Sequence, residues 1–161
     1  MATQSPKDAC DLLDADHRAV KKMFVAYDEL ASSKSKSALT KKATLAREIC
    51  NELTVHATIE EEIFYPPARA AIKDNALLDE AEVEHASCKA LIAEIEASDP
   101  THPMFDAKVK VLGEYIDHHV KEERGEMFPK ARASKKLDLV ALRDTLEARK
   151  QELMADMVAT A

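Results

Sequence analysis

The sequence predicts an all-α protein, an up-down-up-down four-helix bundle with one additional C-terminal helix. Three observations lead there. Two glycines in 161 residues, set among abundant Ala, Leu, Lys and Glu, suit long helices and leave little turn chemistry for hairpins. Apolar residues recur at alternating three- and four-residue steps in four successive stretches. Only short polar breaks separate those stretches, so consecutive helices must run antiparallel.

Ser5-Pro6 places a capping hydroxyl before a proline at the first helical position, with Asp8 in the first turn. The first stripe runs through Cys10, Leu13, His17, Val20, Phe24, Tyr27 and Ala31, and the Ser/Lys-rich run 32–37 is a loop. The second carries Ile49, Leu53, His56, Glu60 and Ile63 and is expected to stop or kink near Pro66-Pro67. A third runs through Leu78, Ala81, His85, Cys88, Ile92 and Ile95 to Asp99-Pro100. Thr101, His102 and Pro103 open a fourth, with Phe105, Val109, Leu112, Ile116, His119, Glu123 and Met127 inward. Ser134 is expected to cap a last helix that packs outside the bundle through Leu139, Leu142, Leu146, Leu153 and Met157. Its Arg143, Glu147 and Lys150 would form a solvated face. No linker interrupts the chain, so 1–161 is expected to form a single domain: the bundle over about 6–132 and the packing helix over about 135–158.

The bulk numbers exclude several classes of function. A net charge of −7 argues against a nucleic-acid partner, whose phosphates need a basic surface. No stretch approaches the roughly 20 apolar residues that cross a bilayer, and the N-terminal residues have no apolar signal core. Cys10, Cys50 and Cys88 are odd in number and lack C-x-x-C spacing, which suits reduced thiols. A cytoplasmic protein with no membrane partner is the expectation.

The chain is also a weak two-fold repeat. A shift of 68 residues lays Asp16-His17 and Lys21 on Glu84-His85 and Lys89. A shift of 63 lays His56-x-x-x-Glu60 and Phe64-Tyr65-Pro66 on His119-x-x-x-Glu123 and Met127-Phe128-Pro129. Each half is thus a helix with one His followed by a helix with His and Glu, and two halves close one core.

Residues four apart share a helix face, so each His and Glu pair points the same way. All six residues, His17, His56, Glu60, His85, His119 and Glu123, fall on apolar stripes, where an unpaired carboxylate would cost several kcal/mol to bury. A metal would compensate that charge. His17 and His56 lie about 14 and 16–19 residues from the first loop, and His85 and His119 about 14 and 17 from the turn at Asp99-Pro100, so all can meet near one depth. Imidazole with carboxylate favours iron, manganese or zinc over calcium or magnesium. Two histidines per metal with two bridging glutamates suits a pair of ions. His118 with Glu122 has the same spacing on a poorer stripe, and the repeat aligns His119 with His56. His102, beside a helix start, reads as a capping or surface residue. No separate catalytic residue is assigned. Asp14 and Glu82, beside the stripes, could accept from the outer N–H of a ligand imidazole. Tyr65 and Tyr115 could donate to a bound oxygen ligand or simply pack helix ends.

The series His17, then His56-x-x-x-Glu60-Glu61-x-x-Phe64-Tyr65-Pro66, then Glu84-His85, then His119-x-x-x-Glu123 with Phe128-Pro129 resembles the hemerythrin-like (HHE cation-binding) family from the first helix to about residue 132. The resemblance implies a four-helix bundle around an oxygen-bridged pair of iron ions, with zinc or manganese as substitutes, that binds dioxygen, nitric oxide or peroxide. Two departures shift the expectation. Oxygen-carrying hemerythrins have a second His four residues after the third-helix His, where this chain has Lys89. They end with His and Asp five apart, where His119 and Glu123 are four apart. One imidazole fewer leaves a more open centre, which weighs against oxygen carriage and toward sensing, stress defence, peroxide chemistry or iron handling. Such a centre is compatible with catalase-, peroxidase- or oxidase-like turnover as well as with binding alone. A ferritin-type carboxylate centre is the alternative, with Asp14-x-x-His17 and Glu82-x-x-His85 as its motifs and His56 and His119 as bystanders. An interaction domain with a structural metal is another.

Overall fold

The structure is a computed structural model and describes residues 4–160. Its helices are α1 (Ala9–Ala31), α2 (Lys36–Ile59), α3 (Tyr65–Ile72), α4 (Asn75–Ala97), α5 (Phe105–Glu122), α6 (Phe128–Ala133) and α7 (Leu139–Thr160). Two wide π-helical turns, Glu60–Phe64 and Glu123–Met127, join α2 to α3 and α5 to α6, so each pair forms one long rod. The four rods α1, α2–α3, α4 and α5–α6 make the up-down-up-down bundle, and α7 lies outside it against α1 and α2. No described helix is long and apolar enough to cross a membrane.

Helix ends depart from expectation where a nearer side chain caps better. Asp8, not Ser5, caps α1: its carboxylate accepts the Asp11 N–H at 2.8 Å, so the helix starts at Ala9 beyond Pro6. Ser35 caps α2, which shortens the first loop. Asp99 accepts from both the N–H and hydroxyl of Thr101, holding a turn that delays α5 to Phe105. Ser134 accepts the Lys136 N–H within a turn, and Asp138 caps α7 by accepting the Ala141 N–H at 3.0 Å. The last helix therefore begins at Leu139 rather than near 135.

The second rod does not stop at Pro66-Pro67. Proline removes an N–H and its ring collides with the carbonyl four residues back. The chain widens into a π turn instead, and the Tyr65 N–H donates to the Glu60 carbonyl five residues back. The same happens before Pro129, where the Phe128 N–H donates to the Glu123 carbonyl. Both π turns start at the glutamates of the repeated motif, and such turns recur at functional sites.

The core has two apolar clusters. One contains Leu13, Ile59, Phe64, Leu78, Met127, Phe128 and Leu146; the other contains Val20, Phe24, Tyr27, Ile49, Leu53, Ile92, Val109 and Leu112. Burying one such aliphatic side chain contributes about 1.5–3 kcal/mol. In the second cluster Lys42 is buried and pairs with Asp106 at 3.1 Å, and the Tyr27 hydroxyl donates to the same carboxylate at 2.6 Å, tying α1, α2 and α5 together. Between the two clusters lies one polar layer.

Candidate metal centre

The polar layer consists of the six residues singled out by spacing. His17 follows Leu13 on α1, His56 follows Leu53 on α2, His85 stands between Ala81 and Cys88 on α4, and His119 precedes the π turn that Glu123 begins. All six are buried, with Glu60 at 0 % and Glu123 at 1 % exposure. Helical phase brings them to one depth from four rods.

The inner atoms pair across the pseudo-symmetry. The Nε2 of His56 is 2.9 Å and that of His85 3.4 Å from Glu60 Oε1. The Nε2 atoms of His17 and His119 are each 3.1 Å from Glu123 Oε1. Each carboxylate thus sits between a histidine of one half and a histidine of the other. Donor atoms of His17, His56 and Glu123 lie within 4.8 Å of one another, as do those of Glu60, His85 and His119.

Close as they are, these atoms are not aligned as hydrogen bonds. His17 Nε2, His56 Nε2, both oxygens of Glu60 and Glu123 Oε1 are buried without a hydrogen-bond partner. The Nε2 atoms of His85 and His119 lie 3.2 Å apart in the same buried space. An ion bound at about 2.1 Å holds neighbouring donors about 3.0 Å apart in an octahedral shell and about 3.4 Å in a tetrahedral one. The four contacts of 2.9–3.4 Å between imidazole and glutamate are compatible with such a shell, and the donor set of imidazole and carboxylate fits iron, manganese or zinc.

Outside this layer every imidazole is held by a carboxylate at Nδ1. His56 faces Asp16 Oδ2 at 3.0 Å, His85 faces Glu61 Oε2 at 3.1 Å, and His119 faces Glu84 Oε1 at 2.8 Å. His17 faces Asp14 Oδ1 at a longer 3.4 Å. A carboxylate can only accept, so Nδ1 carries a proton and each ring turns Nε2 inward. Asp14 therefore stands where its spacing suggests. Glu82 does not: it is exposed and pairs with Arg69 at 3.1 Å, so neither it nor Asp14 reaches the centre as a ferritin-type ligand. Tyr115 is exposed and stands apart from the layer, whereas the Tyr65 hydroxyl donates to Glu123 Oε2 at 3.0 Å. That hydroxyl is also 3.1 Å from His85 Nε2 and 3.3 Å from His119 Nε2.

Asp16, Glu61 and Glu84 were missed as sequence candidates. Two of them had a signal: Asp16 and Glu84 directly precede the repeated histidines, and each serves the histidine of the next rod. Glu61 lies in a π turn, where helical periodicity no longer reports which way a side chain points.

The layer's charges are strongly coupled. Burial alone would lower the His56 imidazole, but the Glu60 and Asp16 carboxylates outweigh it and push it up to about 10. Burial opposes the charge of His119 too, and Glu123 and Glu84 push it up to about 11. Burial would raise the Glu123 carboxyl, yet His119 and His17 hold it well below its usual range. Without an ion the raised His17, His56 and His119 imidazoles supply positive charge beside the glutamates. An ion would displace those protons.

Two small cavities touch the layer on the side of the second apolar cluster. One of about 20 Å³ is lined by His17, Val20, Leu53 and Ile116; one of about 30 Å³ by His85, Cys88, Ile92 and Ile116. His56 and His119 line both. Each has room for a molecule of about water size, and the walls are mainly apolar. Lys89, where an oxygen carrier has its extra His, turns outward to Glu61 at 2.5 Å.

The remaining candidates lie elsewhere. His118 is on the surface with Glu84 and Glu122, and His102 accepts the Met104 N–H in the turn before α5. All three cysteines are buried free thiols, and burial pushes Cys10 and Cys50 up to about 12.

Comparison with known proteins gives the same fold and a family. A crystal structure of a hemerythrin HHE cation binding domain-containing protein from Mycobacterium kansasii is similar with a TM-score of 0.73 and 19 % identity, over 94 % of this chain and 90 % of that one. A curated DNA nickase of Nostoc sp. is 29 % identical over 118 residues, 73 % of this chain, and the match spans 32 % of that relative's length. Residues 8–131 match the family model described as the hemerythrin HHE cation binding domain, and they contain both glutamates and all four histidines of the layer. The chain belongs to the hemerythrin HHE cation-binding domain family.

Proposed function

We propose that the layer holds two iron ions, with His17, His56, Glu60, His85, His119 and Glu123 as ligands. There a small molecule of the dioxygen, nitric oxide or peroxide class binds or reacts, in sensing, stress defence or iron handling. The observation that carries this reading is the placement of each buried glutamate, with an oxygen that lacks a hydrogen-bond partner, between a histidine of one half and a histidine of the other. Glu60 and Glu123 would hold the ions together with two imidazoles each, and the apolar cavities beside the layer would admit a small ligand. Bound iron would supply redox chemistry toward such a ligand.

The residues around it have separable tasks. Asp14, Asp16, Glu61 and Glu84 orient the imidazoles through Nδ1. The Tyr65 hydroxyl donates its one proton to Glu123 and stands beside the Nε2 atoms of His85 and His119. Leu53, Ile92 and Ile116 keep the cavities apolar, which suits a neutral diatomic better than a charged substrate. DNA nicking, the activity named for the curated relative, belongs to a protein of which this chain matches a third, and the acidic net charge favours the small ligand. The free buried thiols support a reducing, cytoplasmic setting.

The test is an optical spectrum of anaerobically purified protein before and after oxygen, nitric oxide or peroxide is added. New near-ultraviolet absorption on oxidation is expected. A colourless protein that holds zinc and responds to none of the three would overturn the reading.

A further inference from the structure

We propose that α7 is coupled to the metal centre through Lys150, which positions the His56 imidazole by way of Asp16. The inference rests on the reading of His56 as a ligand. Lys150 was expected on a solvated face. Instead its Nζ lies 2.5 Å from Asp16 Oδ1, while Asp16 Oδ2 lies 3.0 Å from His56 Nδ1. Asp16 is buried at 8 % exposure, and these two contacts engage both of its oxygens.

The other three histidines show what this cation is for. Each of their carboxylates also carries a basic group: Arg124 on Asp14, Lys89 on Glu61 and His118 on Glu84. All three come from the bundle itself. The two-fold repeat sharpens the contrast, since Asp16 on His56 corresponds to Glu84 on His119. The 63-residue shift that relates the two second helices lays His118 on Val55, a buried apolar side chain that cannot serve Asp16. The first half has no counterpart of His118 at that place, and α7 provides Lys150.

A second grip lies beside it. Arg149 holds both oxygens of Glu62 at 2.9 and 3.3 Å, in the π turn that also carries Glu60 and Glu61. One turn earlier Leu146 is fully buried in the cluster with Leu13, Phe64 and Met127. Three nearby residues of α7 therefore bear on the two segments that present His17, His56 and Glu60. Asp16 and Lys150 restrain the His56 ring from Nδ1 and an ion would restrain it from Nε2, so each would reduce the freedom the other must remove, and ion binding should favour docking of α7. By reciprocity, docking should favour ion binding by the same factor.

Hydrogen exchange of residues 142–157 tests this in chelator-stripped protein and in protein loaded anaerobically with ferrous iron. Loading is expected to slow exchange of α7 about tenfold in the wild type. Lys150→Met should lose that iron-dependent slowing and bind ferrous iron about tenfold more weakly, and Lys150→Arg should restore both. A purely structural ion pair would shift the baseline exchange and leave the iron-dependent difference intact. Iron bound by the wild type with no change in α7, or a Lys150→Met protein with the full iron-dependent slowing, overturns the coupling alone. The wild-type comparison needs no variant to fold. Failure of the wild type to bind ferrous iron would instead bring down the metal-ligand reading, and this inference with it.

Discussion

Glu82 and Glu84 lie two residues apart on α4, and the structure gives them opposite weights. Glu84 Oε1 is 2.8 Å from His119 Nδ1, its Oε2 is 3.2 Å from His118 Nε2, and its side chain is 17 % exposed. Glu82 is 59 % exposed and pairs with the half-buried Arg69. Glu84→Gln keeps the shape and removes the charge that fixes the outer proton of His119. Loss of such an outer carboxylate typically weakens metal binding 10–100-fold, about 1.4–2.7 kcal/mol. Glu82→Gln breaks an exposed pair and should stay within about 0.5 kcal/mol. Ferrous iron affinity, measured anaerobically by chelator competition, separates the two, and thermal unfolding checks that both variants fold. A tenfold weakening in Glu82→Gln, or an unchanged affinity in Glu84→Gln, would refute the assignment of Nδ1 partners.

Further predictions concern stability and pH. The His56 and His119 imidazoles lie at about 10 and about 11 in the folded, metal-free protein, above the value of about 6.5 in an unfolded chain. Groups raised in this way add stability that is full below pH about 6.5 and is lost as pH rises through the folded values. The melting temperature of stripped protein should therefore fall from pH 7 to 10 while iron-loaded protein changes less; a flat profile for stripped protein would contradict this. Asp106→Ala removes the carboxylate that Lys42 and Tyr27 share and should cost about 1–3 kcal/mol in urea unfolding, whereas Lys42→Met with Asp106→Ala should recover part of it. Leu146→Ala opens a cavity where α7 meets the core and should cost about 2–5 kcal/mol by the same assay.

What the sequence reveals of this fold follows from which forces act locally. The stripes and the four-residue His and Glu spacing are consequences of helical geometry alone, so the bundle and the convergence of the six side chains could be read directly. Pro66 and Pro129 announce trouble in a helix, but whether it breaks or widens depends on packing of Phe64, Tyr65 and Phe128 against the core, which lies outside any local window. The same widening turned Glu61 toward His85 without a periodic trace. Asp16 and Glu84 were visible as the repeated residue before His, yet each serves a histidine on the neighbouring rod, a relation only tertiary structure supplies. Lys150 looked like solvated charge because Asp16, its partner, is 134 positions away. Tyr65 and Tyr115 had equal standing by composition, and burial separated them.

Counting metal in anaerobically purified wild-type protein and in His56→Ala tests whether the layer holds two iron ions. Two iron ions per chain in the wild type, and a clear loss in the variant, are predicted. Wild-type protein holding zinc or no metal, or His56→Ala retaining two iron ions, would contradict the account.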